Sequence, residues 1–142
     1  MSGRTDCGYA KGIKAYDAWR EALEDESNFS VNGNYTLLFE KMLCQGDAMN
    51  CLADGRNNAS LYFEELAGTA GSRQDSYKKV SGLFRKCSNT ILEMQALYNI
   101  NEAGMDGMLK RLADKEIRKK TCELIKIAQK ADKEALEIMK TL

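Results

Sequence analysis

One arginine stands among apolar residues in the middle of the chain, and its position has the clearest chemical meaning. On a helical wheel of about 100° per residue, one narrow stripe contains Leu38, Met42, Met49, Arg56 and Phe63. An amphipathic helix turns such a stripe towards the protein core. Burying an unpaired guanidinium is costly, so a carboxylate, a bound anion or water is needed near Arg56.

The last third of the chain offers a carboxylate partner for this arginine. Asp132 shares a helical column with Arg118, Ile125 and Met139, beside an apolar stripe. We therefore predict an ion pair between Arg56 and Asp132 across the protein interior. One interpretation is structural: an ion pair in the scaffold, or an arginine that reaches solvent along its stem. The other is a polar pocket that binds a small ligand.

Under the pocket interpretation, the predicted ligand-binding residues are Arg56, Asp132, Tyr16, Trp19 and Gln45. Gln45 lies on the same helical face as Arg56. Aromatic residues can ring a ligand cavity, and a buried tyrosine needs a partner for its hydroxyl. The candidates are Tyr16, Trp19, Tyr35, Tyr62, Phe63, Tyr77 and Tyr98. Bulky core packing also explains them, and we favour that interpretation.

The five cysteines do not form a metal-binding pattern. Cys44 and Cys51 share a column, but two helical turns separate them by about 10 Å, too far to chelate one ion. We predict no metal site and no cofactor, and we interpret the cysteines as small hydrophobic residues. The small residues on this flank, Cys44, Ala48, Cys51, Gly55 and Ala59, are a candidate contact face for a second copy or a partner helix.

The sequence contains no histidine. This excludes Ser-His and Cys-His nucleophilic catalysis, the Glu-x-x-His ligands of di-iron bundles, and histidine-ligated zinc or haem. Acidic residues such as Glu40, Asp47 and Asp54 recur on the solvent side of their segment and give little support for paired-carboxylate catalysis. We predict that the protein is not an enzyme.

Composition narrows the class of protein further. The 21 basic and 21 acidic residues cancel and are interspersed, which argues against a nucleic-acid or anionic-lipid footprint. No apolar run approaches the roughly 18 residues of a membrane span, and the first 30 residues lack an export signal. We expect no nucleic-acid partner, no membrane association, reduced thiols and a cytoplasmic location.

The elements that position these residues are helices, as the absence of proline and the three-to-four-residue apolar spacing indicate. We predict an all-α fold, an up-and-down four-helix bundle with one shorter N-terminal helix and three long helices, in a single domain over residues 1–142. The predicted helices run from Tyr9 to Asp25, from Tyr35 to Ala67, through a heptad from Tyr77 to Tyr98, and from Asp114 onward. Residues 27–34, 68–72 and 99–107 are predicted turns.

Three stretches resemble a known helical region: Ala15–Trp19 with Leu23, Cys51–Ala59 with Phe63, and Arg118 with Ala128–Asp132. The region accompanies BtrH-like or C39-peptidase-like cysteine domains of bacteria and archaea. That family implies acyl transfer or peptide-bond cleavage by a Cys-His pair in the accompanying domain. Because this chain has no histidine, the resemblance implies only the helical half, a ligand-contacting, lid-like or oligomerising module.

The resemblance and the helical wheel agree on three positions, Tyr16, Trp19 and Arg56. We expect no domain before Met1, and the chain is then either a stand-alone relative or part of a longer arrangement. The leading hypothesis is a non-catalytic module that binds a small anionic or amphipathic ligand between its helices, with Arg56 as the anchor. The alternative is an interaction protein that forms a homodimer or docks on a partner helix.

Overall fold

The computed structural model describes residues 10–29, 35–69, 71–98 and 100–142, with only the backbone described for 100–103. These residues form helices and connecting turns without a strand, so the predicted all-α class is confirmed. The α-helices are α1 (Ile13–Glu24), α2 (Tyr35–Thr69), α3 (Gln74–Tyr98), α4 (Ile100–Ala113) and α5 (Lys115–Met139). Two short 3₁₀ turns, Glu26–Phe29 and Gly71–Arg73, precede α2 and α3. No helix in the described ranges is long and apolar enough to cross a membrane.

Helix α1 begins later than predicted. The chain enters it through Gly12, whose φ of 61° lies in the left-handed region that favours glycine. Tyr9, the predicted first residue, lies outside the described residues. The predicted loop after α1 starts as a 3₁₀ turn, which places Phe29 in the core. Residues 30–34 of that loop also lie outside the described part of the chain.

Helix α2 confirms the long second segment and extends it by two residues to Thr69. It is helical through Gly46 and Gly55, although glycine in a helix interior lowers helix stability. One side of α2 packs closely on α3, where Ser88 Oγ donates to the Ala53 carbonyl at 2.9 Å and Ser81 Oγ to the Ser60 carbonyl at 2.8 Å. The short polar side chains of α3 therefore form their hydrogen bonds with backbone carbonyls of α2.

The heptad of α3 is confirmed. Its apolar positions from Val80 to Tyr98 are buried, and Tyr77 at the start is partly buried. Helix α3 packs against both α2 and α5, while α1 packs mainly against α5. A larger apolar cluster includes Met49, Ile91 and Ile125, and a smaller one is formed by Phe63, Val80, Phe84 and Ala135.

The predicted turn over residues 99–107 is wrong for most of its length. Residues 100–107 belong to α4, which Gly104 interrupts with φ 58° and ψ −175°. The glycines and asparagines indicate a local break correctly, but Leu109 and Leu112 are buried, and their burial stabilises helix on the far side of that break. The described residues therefore contain five α-helices where the sequence predicts four.

The predicted start of the last helix at Asp114 is confirmed, since Asp114 is the N-cap residue of α5. The Asp114 carboxylate accepts a hydrogen bond of 2.8 Å from the backbone N–H of Glu116, which satisfies one of the open donors of the first turn. The small residues Ala128, Ala131 and Ala135 of this helix are buried.

Candidate functional site

The predicted ion pair between α2 and α5 is present. Asp132 is 1% exposed, and both its oxygens accept from Arg56 Nε at 2.7 and 2.9 Å. Arg56 Nη2 adds a third hydrogen bond of 2.7 Å to Oδ2. The Arg56 side chain remains one-third exposed, so its guanidinium reaches from the core towards solvent. The sequence prediction of an Arg56–Asp132 pair is confirmed.

Tyr16 completes this polar group from α1. Its hydroxyl donates to Asp132 Oδ2 at 2.7 Å and lies 3.5 Å from the Cys87 sulfur on α3. Four helices thus meet at one buried carboxylate. We call the group of Tyr16, Arg56, Cys87 and Asp132 the clasp.

The electrostatics of the clasp do not suit proton transfer at neutral pH. Burial raises the pKa of the Cys87 thiol to about 12, and burial is also the main cause of the raised pKa of Tyr16. Hydrogen bonding to Asp132 raises the pKa of Arg56. The thiol and the phenol are therefore neutral and the guanidinium is charged near pH 7. A general acid or base is most effective when its pKa lies near the operating pH, and these groups do not meet that condition.

The other two predicted ligand residues line a separate cavity. This cavity, which we call the cleft, has a volume of about 250 Å³ and lies between α1 and the N-terminal half of α2. Trp19 Nε1 donates to Gln45 Oε1 across it at 3.4 Å. The described lining residues are Trp19, Ala22, Leu23, Asn28, Phe29, Lys41, Cys44, Gln45 and Leu112. The five predicted residues therefore divide between two places, because Tyr16, Arg56 and Asp132 belong to the clasp.

Lys41, which is not among the residues predicted from the sequence, supplies the charged group of the cleft. Its Nζ donates to the Asn28 carbonyl at 2.8 Å and to Asn28 Oδ1 at 3.1 Å, and it lies 5.8 Å from the centre of the Phe29 ring. Lys41 precedes Gln45 by one helical turn, which is the sequence signal that could have identified it.

The predicted contact face on α2 is largely solvent-exposed. Cys44, Ala48, Cys51 and Gly55 are exposed, and Ala59 is half-buried. Cys44 lies at the boundary, because it also lines the cleft. The Tyr62 side chain, one helical turn beyond Ala59, is 58% exposed.

Arg118, to which the sequence assigned no role, is buried more deeply than Arg56. Arg118 is 2% exposed and donates to the carbonyls of Leu23 at 3.1 Å, Leu112 at 2.9 Å and Ala113 at 2.7 Å. Its Nη2 forms an ion pair with Glu26 at 2.8 Å, although the angle is not that of a hydrogen bond. Arg118 thus satisfies carbonyls at the C-terminal ends of α1 and α4. Arg118 shares a helical column with Asp132 beside an apolar stripe, and a charged residue near an apolar stripe is also the signal that identified Arg56.

The cysteines and acids of the described ranges include no group of three or more that is arranged to hold a metal ion. Cys44, Cys51, Cys87 and Cys122 are free thiols. No protein-family model, curated protein or solved structure matches this chain significantly. The resemblance to the helical region of BtrH-like and C39-peptidase-like proteins stays a prediction from the sequence.

Proposed function

We propose that this chain is a non-catalytic helical module that binds a small anionic or amphipathic molecule in the cleft between α1 and α2. The observation that carries this function is the composition of the cleft wall. Trp19, Leu23, Phe29 and Leu112 provide apolar surface, while Asn28, Gln45 and Lys41 provide a few polar groups. Concave apolar surface with a small number of polar groups is typical of small-molecule sites.

The cleft is a better candidate than the clasp because of what the polar atoms already bind. Asp132 accepts from Arg56 and Tyr16, and the Arg56 bonds span Nε and Nη2. A ligand anion at Arg56 has to compete with this buried carboxylate. We therefore assign the anchoring role to Lys41 and a structural role to Arg56, while Trp19 and Gln45 keep the ligand-binding role that the sequence suggests.

The proposed architecture around the cleft is an up-and-down four-helix bundle of α1, α2, α3 and α5, with α4 covering one end. Its support is the contact of α3 with α2 and α5, and of α1 with α5. The buried side chains of Leu109 and Leu112 support the covering role of α4. A cytoplasmic location fits the four free thiols.

Native mass spectrometry of gently purified protein tests ligand binding without knowledge of the ligand. We expect a mass above that of the polypeptide, which is lost on denaturation. The matched variants are Ala22→Leu, which fills the cleft, and Ala18→Leu, at another exposed alanine of α1 that is not among the lining residues. The extra mass should disappear in A22L and persist in A18L. A mass that persists in both variants would place the ligand elsewhere and contradict binding in the cleft.

Self-association through α2 is the second candidate function. The exposure of Cys44, Ala48, Cys51 and Gly55 favours it, because small residues on one helix flank permit close approach of another helix. Sedimentation velocity over a range of concentrations tests this interface. An Ala48→Arg variant should abolish any dimer, whereas the same change at Ala18 should not. A monomer at every concentration would exclude the homodimer.

A further inference from the structure

The charged side chain among the described residues that line the cleft is positive. Lys41 is the single ionisable residue apart from Cys44 among the described residues that line it. The Asp25 carboxylate lies close enough to interact with the Lys41 charge but is not one of the lining residues. Lys41 is partly buried, and its ammonium lies against the Phe29 ring. A cationic head group would therefore meet repulsion in this cleft, and an anionic one would meet attraction.

The Lys41 ammonium also has one N–H donor beyond the two that bond to Asn28. An ammonium has three donors, and the two protein acceptors bonded to Nζ in the described residues are both on Asn28. The third N–H is available to an oxygen of a bound molecule. Hydrogen bonds with a charged donor and a charged acceptor are roughly twice as strong as neutral ones.

The volume of the cleft limits the size of the molecule. A water molecule occupies about 30 Å³ of the liquid, so a volume of about 250 Å³ corresponds to roughly eight water-sized groups. The apolar side chains, Trp19, Leu23 and Leu112 among them, form most of the wall. The space therefore suits one short apolar tail and one small head group.

We infer that the ligand of the cleft is an organic monoanion with an apolar tail of about five carbons. Its head group accepts the third hydrogen bond of Lys41, and its tail packs between Trp19 and Leu112. This ligand class rests on the proposed function, since it specifies what the same cleft binds. Hexanoate, with eight non-hydrogen atoms, represents the class.

The fluorescence of Trp19, the one tryptophan of the chain, reports binding directly. Hexanoate, hexanol and hexylammonium, titrated separately into the full chain, have six carbons each and differ in charge. We expect saturable changes, with hexanoate binding about tenfold more tightly than hexanol, because a charge-assisted hydrogen bond adds to tail burial. Hexylammonium should bind least. Among carboxylates, each added methylene should tighten binding about fourfold up to about six carbons and little beyond eight.

Variants at Lys41 separate charge recognition from the fold. Lys41→Met keeps an apolar stem and should lose the preference for hexanoate while still binding hexanol. Lys41→Arg should restore the preference, and Lys14→Met, at an exposed lysine of α1 outside the cleft, should leave it unchanged.

The outcomes distinguish the ligand class from the proposed binding function of the cleft. Equal binding of hexanoate and hexanol, or a preference that persists in K41M, would overturn the monoanion class and leave cleft binding intact. Absence of binding for all three probes, together with no co-purified mass that depends on Ala22, would overturn both the class and the proposed function.

Discussion

Helices α1 and α2 contribute residues to both the clasp and the cleft, yet the polar side chains of the two places differ in how completely they are hydrogen-bonded. In the clasp, the Asp132 carboxylate is bonded by Arg56 and Tyr16 and excluded from solvent. In the cleft, the Lys41 ammonium donates two hydrogen bonds to Asn28 and has a third N–H donor. A polar group in a helical core is thus a poor guide to a binding site by itself. The number of hydrogen bonds that it has left to make is the better guide.

Loss of the shared carboxylate is the change with the largest expected effect. In Asp132→Ala, Arg56 and Tyr16 lose their common acceptor inside the core. Removing one partner of a buried ion pair costs about 3 to 5 kcal/mol. We expect about 3 kcal/mol of unfolding free energy to be lost, the lower end, because Arg56 is one-third exposed. Urea denaturation measures it.

The matched control is Asp54→Ala, an exposed aspartate of α2, which should change stability by less than about 0.5 kcal/mol. Equal losses in D132A and D54A would refute the structural role of the clasp. Replacing Tyr16 by Phe, Arg56 by Met and Asp132 by Leu together should restore much of the lost stability, since apolar residues often substitute well for a buried ion pair.

Alkaline pH should weaken the clasp. The folded state holds the Cys87 pKa at about 12, above its ordinary value of 9.0. A raised thiol pKa contributes stability that is complete below pH 9 and is lost as the pH rises towards 12, by about 1.4 kcal/mol per unit. We expect the unfolding free energy of the native chain to fall more steeply between pH 9 and 11 than that of Cys87→Ala. Parallel curves for the two proteins would show that the thiol is not held in this way.

The tyrosine of the clasp should contribute less than the carboxylate. Tyr16→Phe removes one hydrogen bond to Asp132 and leaves the Arg56 bonds in place. Hydrogen bonds to charged groups contribute about 1.5 to 3 kcal/mol, so we expect a loss of about 1.5 kcal/mol in urea denaturation. The effect should vanish in an Asp132→Leu background. An undiminished loss in that background would mean that the Tyr16 hydroxyl acts through another partner.

The cleft should give the smallest effect on stability. Ala22→Leu and Ala18→Leu both replace an exposed alanine of α1, and each should change the melting temperature by about 2 °C or less. Ligand binding should nevertheless be lost in A22L alone. A large destabilisation by A22L would show that the cleft is packing space, and the contrast between the clasp and the cleft would fail.

Sequence periodicity predicted the parts of the fold that repeat locally. The heptad of α3, the length of α2 and the Asp114 cap of α5 all follow from spacing within one segment. The Arg56–Asp132 pair was also predictable, because Arg56 lies within one apolar stripe, Asp132 lies beside another, and a buried charge needs a partner. Helix α4 was not, since its glycines and asparagines indicate a turn and its helical state depends on burial against the rest of the protein.

The sequence by itself determined the helical class, the three long helices and the need of Arg56 for a polar or charged partner. Only the tertiary structure decided that Tyr16 joins that carboxylate while Trp19 and Gln45 line a separate cleft with Lys41. It likewise decided that Arg118 is buried against carbonyls of α1 and α4. The physical reason is that helical periodicity specifies which side of a helix a residue occupies. How far two helices stand apart, and what lies between them, depends on the packing of the whole chain.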